Sequence, residues 1–220
     1  QAGNDVYLTI DRDLQVAIYH LIEQQLAGIL VKNLVNEDVD KTQITDSSKV
    51  PIPVKDVYYQ LINNNVLSLS HMAGEEASAI EQEIYSIYLS ARERILGSLK
   101  NELLSPHAST LNEMTPDMYS YMNYIYTYLS DSSVGIIQRD KIDQSSEVFE
   151  TWRDGNLSLR DYILSGIASG WVDTTSLGTE ANYSGADEIF AQLTDYIIGS
   201  LEEDSQFTKL MFRYLVNNGQ

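Results

Sequence analysis

The sequence predicts an all-α protein, a bundle of about six to eight helices with one short N-terminal strand. Three observations carry that expectation. Apolar residues recur at i, i+3 and i+4 through most of the chain, as on one face of a helix. Helix punctuation recurs with them, in Thr115-Pro116, Asn63-Asn64-Asn65 and Asn217-Asn218-Gly219. Clear two-residue alternation occurs once, where Val6, Leu8 and Ile10 interleave with Tyr7 and Thr9.

The elements follow in order. The strand Val6–Ile10 hands over at Asp11 or Asp13, either of which suits a helix N-cap. Leu14, Ala17, Ile18, Leu21, Ile22, Leu26, Ile29 and Leu30 then mark an amphipathic helix to about Asn36. A polar stretch to Val50, closed by Pro51-Ile52-Pro53, reads as a loop. A short helix is expected over Val54–Asn65 and a long one over Gly74–Leu104, striped by Ala77, Ile80, Ile84, Ile87, Tyr88, Ala91, Ile95 and Leu99. Thr115 caps the next, with Pro116 as its first residue and Met118, Tyr121, Met122, Ile125, Tyr128 and Leu129 along it. Further helices are expected over Ser158–Ser169, over Ser184–Leu201 (where Ser184 and Asp187 suit a capping box) and over Ser205–Val216. After Ile10 the one candidate strand is Ser133–Gln138.

A faint internal repeat sets 54–104 against 158–204. Asp56-Val57-Tyr58-Tyr59 matches Asp161-Tyr162-Ile163-Leu164, and Ile95-Leu96-Gly97-Ser98-Leu99 matches Ile197-Ile198-Gly199-Ser200-Leu201. A duplicated helical unit and a chance alignment of amphipathic helices both account for it.

Composition narrows function. With 14 basic and 32 acidic residues the net charge is −18, which would repel a phosphate backbone, so no nucleic-acid partner is expected. No Lys/Arg cluster offers a hold on an anionic membrane surface. The absence of cysteine removes disulfides and thiolate metal sites. The most apolar window, Leu14–Val35, contains His20, Glu23, Gln24, Gln25 and Lys32, so no transmembrane segment is expected, and no signal peptide is visible.

The opening string Gly3-Asn4-Asp5-Val6-Tyr7-Leu8-Thr9-Ile10-Asp11-Arg12-Asp13-Leu14-Gln15 resembles the start of the transpeptidase region of class B penicillin-binding proteins. The continuation Ile18–Leu30 is most similar to the large members of clostridia and related Gram-positive bacteria. The resemblance covers roughly the first 35 residues well and the rest loosely. It implies an extracytoplasmic, membrane-anchored parent that cross-links peptidoglycan through an acyl-serine, with 1–13 as a strand of that region and 14–220 as a helical insertion. The catalytic motifs of that family are missing from this sequence. None of Lys32, Lys41, Lys49, Lys55, Lys100, Lys141 and Lys209 follows a serine by three residues; no Ser-x-Asn, Lys-Thr-Gly or Lys-Ser-Gly occurs.

Other chemistry has thin support. His20, His71 and His107 are the three histidines, His20 within a helical pattern, and Gly166-Ile167-Ala168-Ser169-Gly170 departs from Gly-x-Ser-x-Gly. Asp38-x-Asp40 and Asp173–Gly178 begin like calcium loops but lack the later ligands, and read as ordinary turns. Glu202-Glu203-Asp204 and Glu75-Glu76 read as solvated helix ends. The tyrosines of 119–128 are spread around one helix. Met118, Tyr121, Met122, Ile125 and Tyr128 are expected inward, leaving Tyr119 and Tyr126 as the candidate interaction surface.

The expectation is therefore a non-catalytic helical accessory domain, with no cofactor and no metal site. Its expected partners are the remainder of a transpeptidase and other cell-wall or division proteins. The alternative is a free-standing helical binding module unrelated to cell-wall synthesis.

Overall fold

Helix starts fall largely where short polar side chains can accept from free N–H groups. A computed structural model of the chain describes residues 11–40, 42, 44–46, 50–175 and 185–219. The predicted strand Val6–Ile10 and the capping residue Ser184 lie outside the described residues. Among the described residues the fold comprises nine α-helices and one two-stranded sheet, an all-α multi-helix architecture. The chain divides into two compact units, Gln1–Val66 and Leu67–Gln220.

In the first unit, Asp11 caps α1 (Arg12–Asn33), its Oδ1 accepting from the N–H groups of Asp13 at 3.0 Å and Leu14 at 3.1 Å. The helix runs into β1 (Leu34–Val35), which pairs in parallel with β2 (Ile52–Pro53), Leu34 opposite Ile52. α2 (Val54–Asn63) follows, capped at Asn64, and the next residue, Asn65, has the φ of 55° of a left-handed turn that asparagine tolerates. Lys55 Nζ meets Asp38 Oδ1 at 3.0 Å, and that exposed contact holds the lysine pKa above its ordinary value. Burial is nearly absent: among the described residues of this unit only Pro53 and Ile62 are buried, and α1 buries none.

The second unit has a full core. α3 (Leu69–Met72) precedes α4 (Ala79–Leu104), which starts at a capping box where Ser78 Oγ accepts from Glu81 N–H and Glu81 Oε2 accepts from Ser78 N–H. The predicted start at Gly74 is thus five residues early, and Glu75 and Glu76 sit in the preceding turn, not in a first helical turn. α5 (Pro116–Leu129) begins at Thr115-Pro116 as expected. α6 (Glu147–Arg153) had no counterpart in the sequence reading, nor did α3. α7 (Leu159–Ser169) is capped by Ser158, which exchanges hydrogen bonds with Asp161. α8 (Ala186–Glu203) starts at Gly185 with no side-chain cap, and Asp187 pairs with Arg160 of α7. α9 (Ser205–Asn217) completes the unit.

α4 is the spine, packing against α3, α5, α7, α8 and α9. It runs antiparallel to α8: Lys100 meets Asp195 at 2.8 Å, while Arg92, two turns earlier, donates to the Glu202 carbonyl. Leu99, Leu103, Ile125, Leu129, Ile163, Leu193, Ile197 and Met211 fill the interior. The candidate strand Ser133–Gln138 contracts to one antiparallel bridge, Ile137 opposite Val172, with Gln138 N–H donating to the Trp171 carbonyl at 2.9 Å. Of the two segments matched as a repeat, 54–104 is divided by the boundary at Val66, whereas α7 and α8 of 158–204 pack together within the second unit.

Candidate interaction surface

Tyrosines at odd spacing cannot share one face of a helix. In α5, Tyr121, Met122, Ile125 and Leu129 are buried, while Met118 and Tyr128, expected inward, are only partly covered. Tyr119 is 45 % exposed. Tyr126 lies on the same side seven residues on, but its ring is half-buried and engaged. It packs 5.4 Å from Trp152 and 6.1 Å from Tyr162, with the Arg139 guanidinium 5.6 Å above it. Of the two candidate residues, Tyr119 alone is a free aromatic.

Tyr126 is the rim of an aromatic stack that the sequence reading missed. Trp152 stacks on Tyr162 at 4.6 Å, and Tyr162 meets Trp171 at 4.8 Å. Trp171 in turn lies against Gly166 of α7, where a Cβ would stand 2.4 Å from the ring. Burial pushes the Tyr162 phenol above its usual range, with Tyr126 adding to the shift. A second polar junction joins α5, α8 and α9. Asp204 Oδ1 accepts from Tyr124 Oη and from Phe207 N–H, both at 2.7 Å, so Asp204 caps α9 and is not simply a solvated end. Burial, then this bond, raises the Tyr124 phenol, and burial, then Asp117, raises that of Tyr121.

The polar candidates occupy ordinary local roles. Asp40 and Asp173 each accept from the N–H and hydroxyl two residues on, at Thr42 and Thr175, as in a tight turn, while residues 176–178 of the Asp173–Gly178 stretch lie outside the described residues. That contact, first with the hydroxyl, lowers the Asp173 pKa. His20 lies beside Glu23 and His71 beside Glu81, both at 3.4 Å. Among the described residues no group of three or more His, Asp or Glu side chains is placed to hold a metal ion.

Among the described residues the largest uncovered apolar surface is elsewhere, on α1. Ten large apolar side chains, Leu14, Val16, Ile18, Tyr19, Leu21, Ile22, Leu26, Ile29, Leu30 and Val31, are each 46–70 % exposed. Monomeric proteins rarely leave so much contiguous apolar surface in water. By length and composition this helix is long and apolar enough to cross a membrane. Its middle is polar for that role: the charged Glu23, at a cost of about 2.5–3.5 kcal/mol in a bilayer centre, lies there beside His20, Gln24 and Gln25, which add to the cost. The wheel gathers Leu14, Ile18, Tyr19, Leu21, Ile22, Leu26, Ile29 and Leu30 on one half, opposite His20, Glu23, Gln24, Ala27 and Gly28, with Val16 and Val31 on that opposite half too. No family model matches the chain, nor does any curated protein or solved structure.

Proposed function

We propose that this chain is a non-catalytic, helical accessory domain of a penicillin-binding protein, acting as an interaction or positioning element in peptidoglycan cross-linking outside the cytoplasm. The observation that carries the reading is α1. It continues the Val6-Tyr7-Leu8-Thr9-Ile10-Asp11 string that resembles the opening of a transpeptidase region, and it presents a broad apolar face with none of its residues buried. Among its described residues the unit buries only Pro53 and Ile62, too little apolar surface to offset the ordering entropy of those residues. Such an element gains its stability from what covers it. The chemistry of the parent would come from motifs that this sequence lacks.

The test has two arms. Coding sequence continuous with Gln220 is expected to supply Ser-x-x-Lys, Ser-x-Asn and Lys-Thr-Gly or Lys-Ser-Gly in that order. The purified chain is expected to form no covalent adduct with a fluorescent β-lactam. Their absence from a complete reading frame, or stoichiometric labelling of a serine in this chain, would sink the proposal. One observation favours the alternative, a free-standing helical binding module: Leu67–Gln220 completes a core of its own, from Leu99 to Met211.

A further inference from the structure

Resting on the reading of this chain as an interaction element, we infer that the partner covering α1 is a second copy of the chain, joined through a helix pair. Tyr19, Ile22, Leu26 and Ile29 recur at spacings of three, four and three, the seam of a two-helix interface, and Ile18 and Leu30 flank it. Gln15 and Asn33 continue the spacing at either end, so the apolar seam is bounded by residues that tolerate water. Charge selects the same helix. Leu67–Gln220 carries 23 of the 32 acidic residues and nine of the 14 basic ones, a surface that repels its own kind. α1 is balanced, with Arg12 and Lys32 against Asp13 and Glu23, so the helix itself adds no net charge to a contact made there.

The area is adequate for a reversible dimer. The six seam and flank side chains are each at least 46 % exposed. Each leaves on the order of 80 Å² of apolar surface to cover. Two copies then bury roughly 1,000 Å², at the threshold for a specific interface. That size is at the small end for a specific interface, so the dimer is expected to be reversible. No other uncovered apolar surface among the described residues approaches it: Ile80, Ile84 and Ile87 of α4 make a stripe of only three side chains.

Sedimentation equilibrium on the 220-residue chain over a range of concentrations tests the inference. The expected result is a monomer–dimer equilibrium that weakens about tenfold or more in Ile22→Glu and in Leu26→Glu. Neither position is buried, so both variants keep the tryptophan fluorescence of the second unit. Ile80→Glu, on the exposed stripe of α4, is expected to leave the equilibrium unchanged. A chain that stays monomeric throughout would overturn the inference, as would a dimer indifferent to Ile22→Glu and Leu26→Glu. So would a monomer that floats with phosphatidylcholine vesicles, which would give α1 to lipid. None of these failures touches the two arms of the preceding test, which concern the catalytic motifs and β-lactam labelling.

Discussion

Replacing Gly166 by alanine separates two opposed effects of one methyl group. At an exposed position within a helix, Gly→Ala stabilises by about 0.5–1 kcal/mol, because glycine loses more freedom on folding. Gly97 in α4 and Gly199 in α8 are such positions: a Cβ would meet nothing within 4 Å at either. Gly166 in α7 is buried, and there the Cβ would stand 2.4 Å from Trp171 Cζ3 and 2.6 Å from Val172 Cγ2. The indole would have to retreat by about 1 Å to reach ordinary contact. It is backed by Tyr162 at 4.8 Å, itself stacked on Trp152 at 4.6 Å, so the ring has little room to yield. The Gly166 carbonyl also accepts from Trp171 N–H at 3.1 Å and Val172 N–H at 3.2 Å, and a displaced turn strains both bonds. Overpacking of this kind costs about 1–3 kcal/mol, and weakened bonds add about 1 more, against a propensity gain of about 1. The net expectation for Gly166→Ala is a loss of about 2 kcal/mol, or about 4–8 °C in Tm. Gly97→Ala and Gly199→Ala are expected to gain about 0.5–1 kcal/mol each. Urea unfolding followed by intrinsic fluorescence suits the test, since Trp152 and Trp171 are the chain's two tryptophans and both lie in the stack. A Gly166→Ala protein as stable as the parent would refute the packing argument, whatever the other two did.

Asp204→Ala is expected to cost about 2 kcal/mol, as it removes the N-cap of α9 and strands the half-buried Tyr124 hydroxyl, while Asp204→Asn retains an acceptor and costs well under half as much. Equal urea midpoints for the two variants would count against the double role of Asp204. Alkali is expected to unfold the second unit: burial raises the Tyr121, Tyr124 and Tyr162 phenols, so their contribution is complete below the ordinary value of about 10 and is lost as pH climbs above it. Phenolate absorbance and circular dichroism recorded together check this, and a titration in which all tyrosines ionise while the fold persists contradicts it.

Capping chemistry made much of the bundle legible. Thr115-Pro116 and Ser158 announce α5 and α7 because the sequence there satisfies N–H groups that would otherwise be free, and that requirement is local. What is non-local, or too short to show a period, was silent. α6 holds seven residues, less than the span over which a 3.6-residue repeat can be counted, though it places Trp152 in the stack. The pairing of Leu34–Val35 with Ile52–Pro53 joins two dipeptides across a polar loop, and two residues cannot display alternation. Asp204 was hidden by its neighbours: beside Glu202 and Glu203 it looks like part of a solvated run, yet it alone turns back onto Phe207 N–H. Tyr126 failed as a free ring for a related reason. Its side of α5 is set by the sequence, but Trp152 and Arg139, which cover that side, arrive from elements with weak local signals.

The contrast between α1 and α4 marks what periodicity can and cannot decide. Both helices carry long stripes of leucine, isoleucine and tyrosine at helical spacing, and the sequence alone offers no ground for treating them differently. α4 buries Tyr88, Ala91, Ile95, Leu96, Leu99 and Leu103 under its neighbours, whereas α1 buries none of its residues. A stripe records that a face is to be covered. Which element covers it depends on topology, and for α1 the covering partner is not among the described residues of its own unit. The functional reading follows from that difference. The second unit covers most of its apolar faces with its own interior, whereas the apolar half of α1, the helix adjoining the transpeptidase-like string, stays uncovered among the described residues, which is the difference the proposed interaction role rests on.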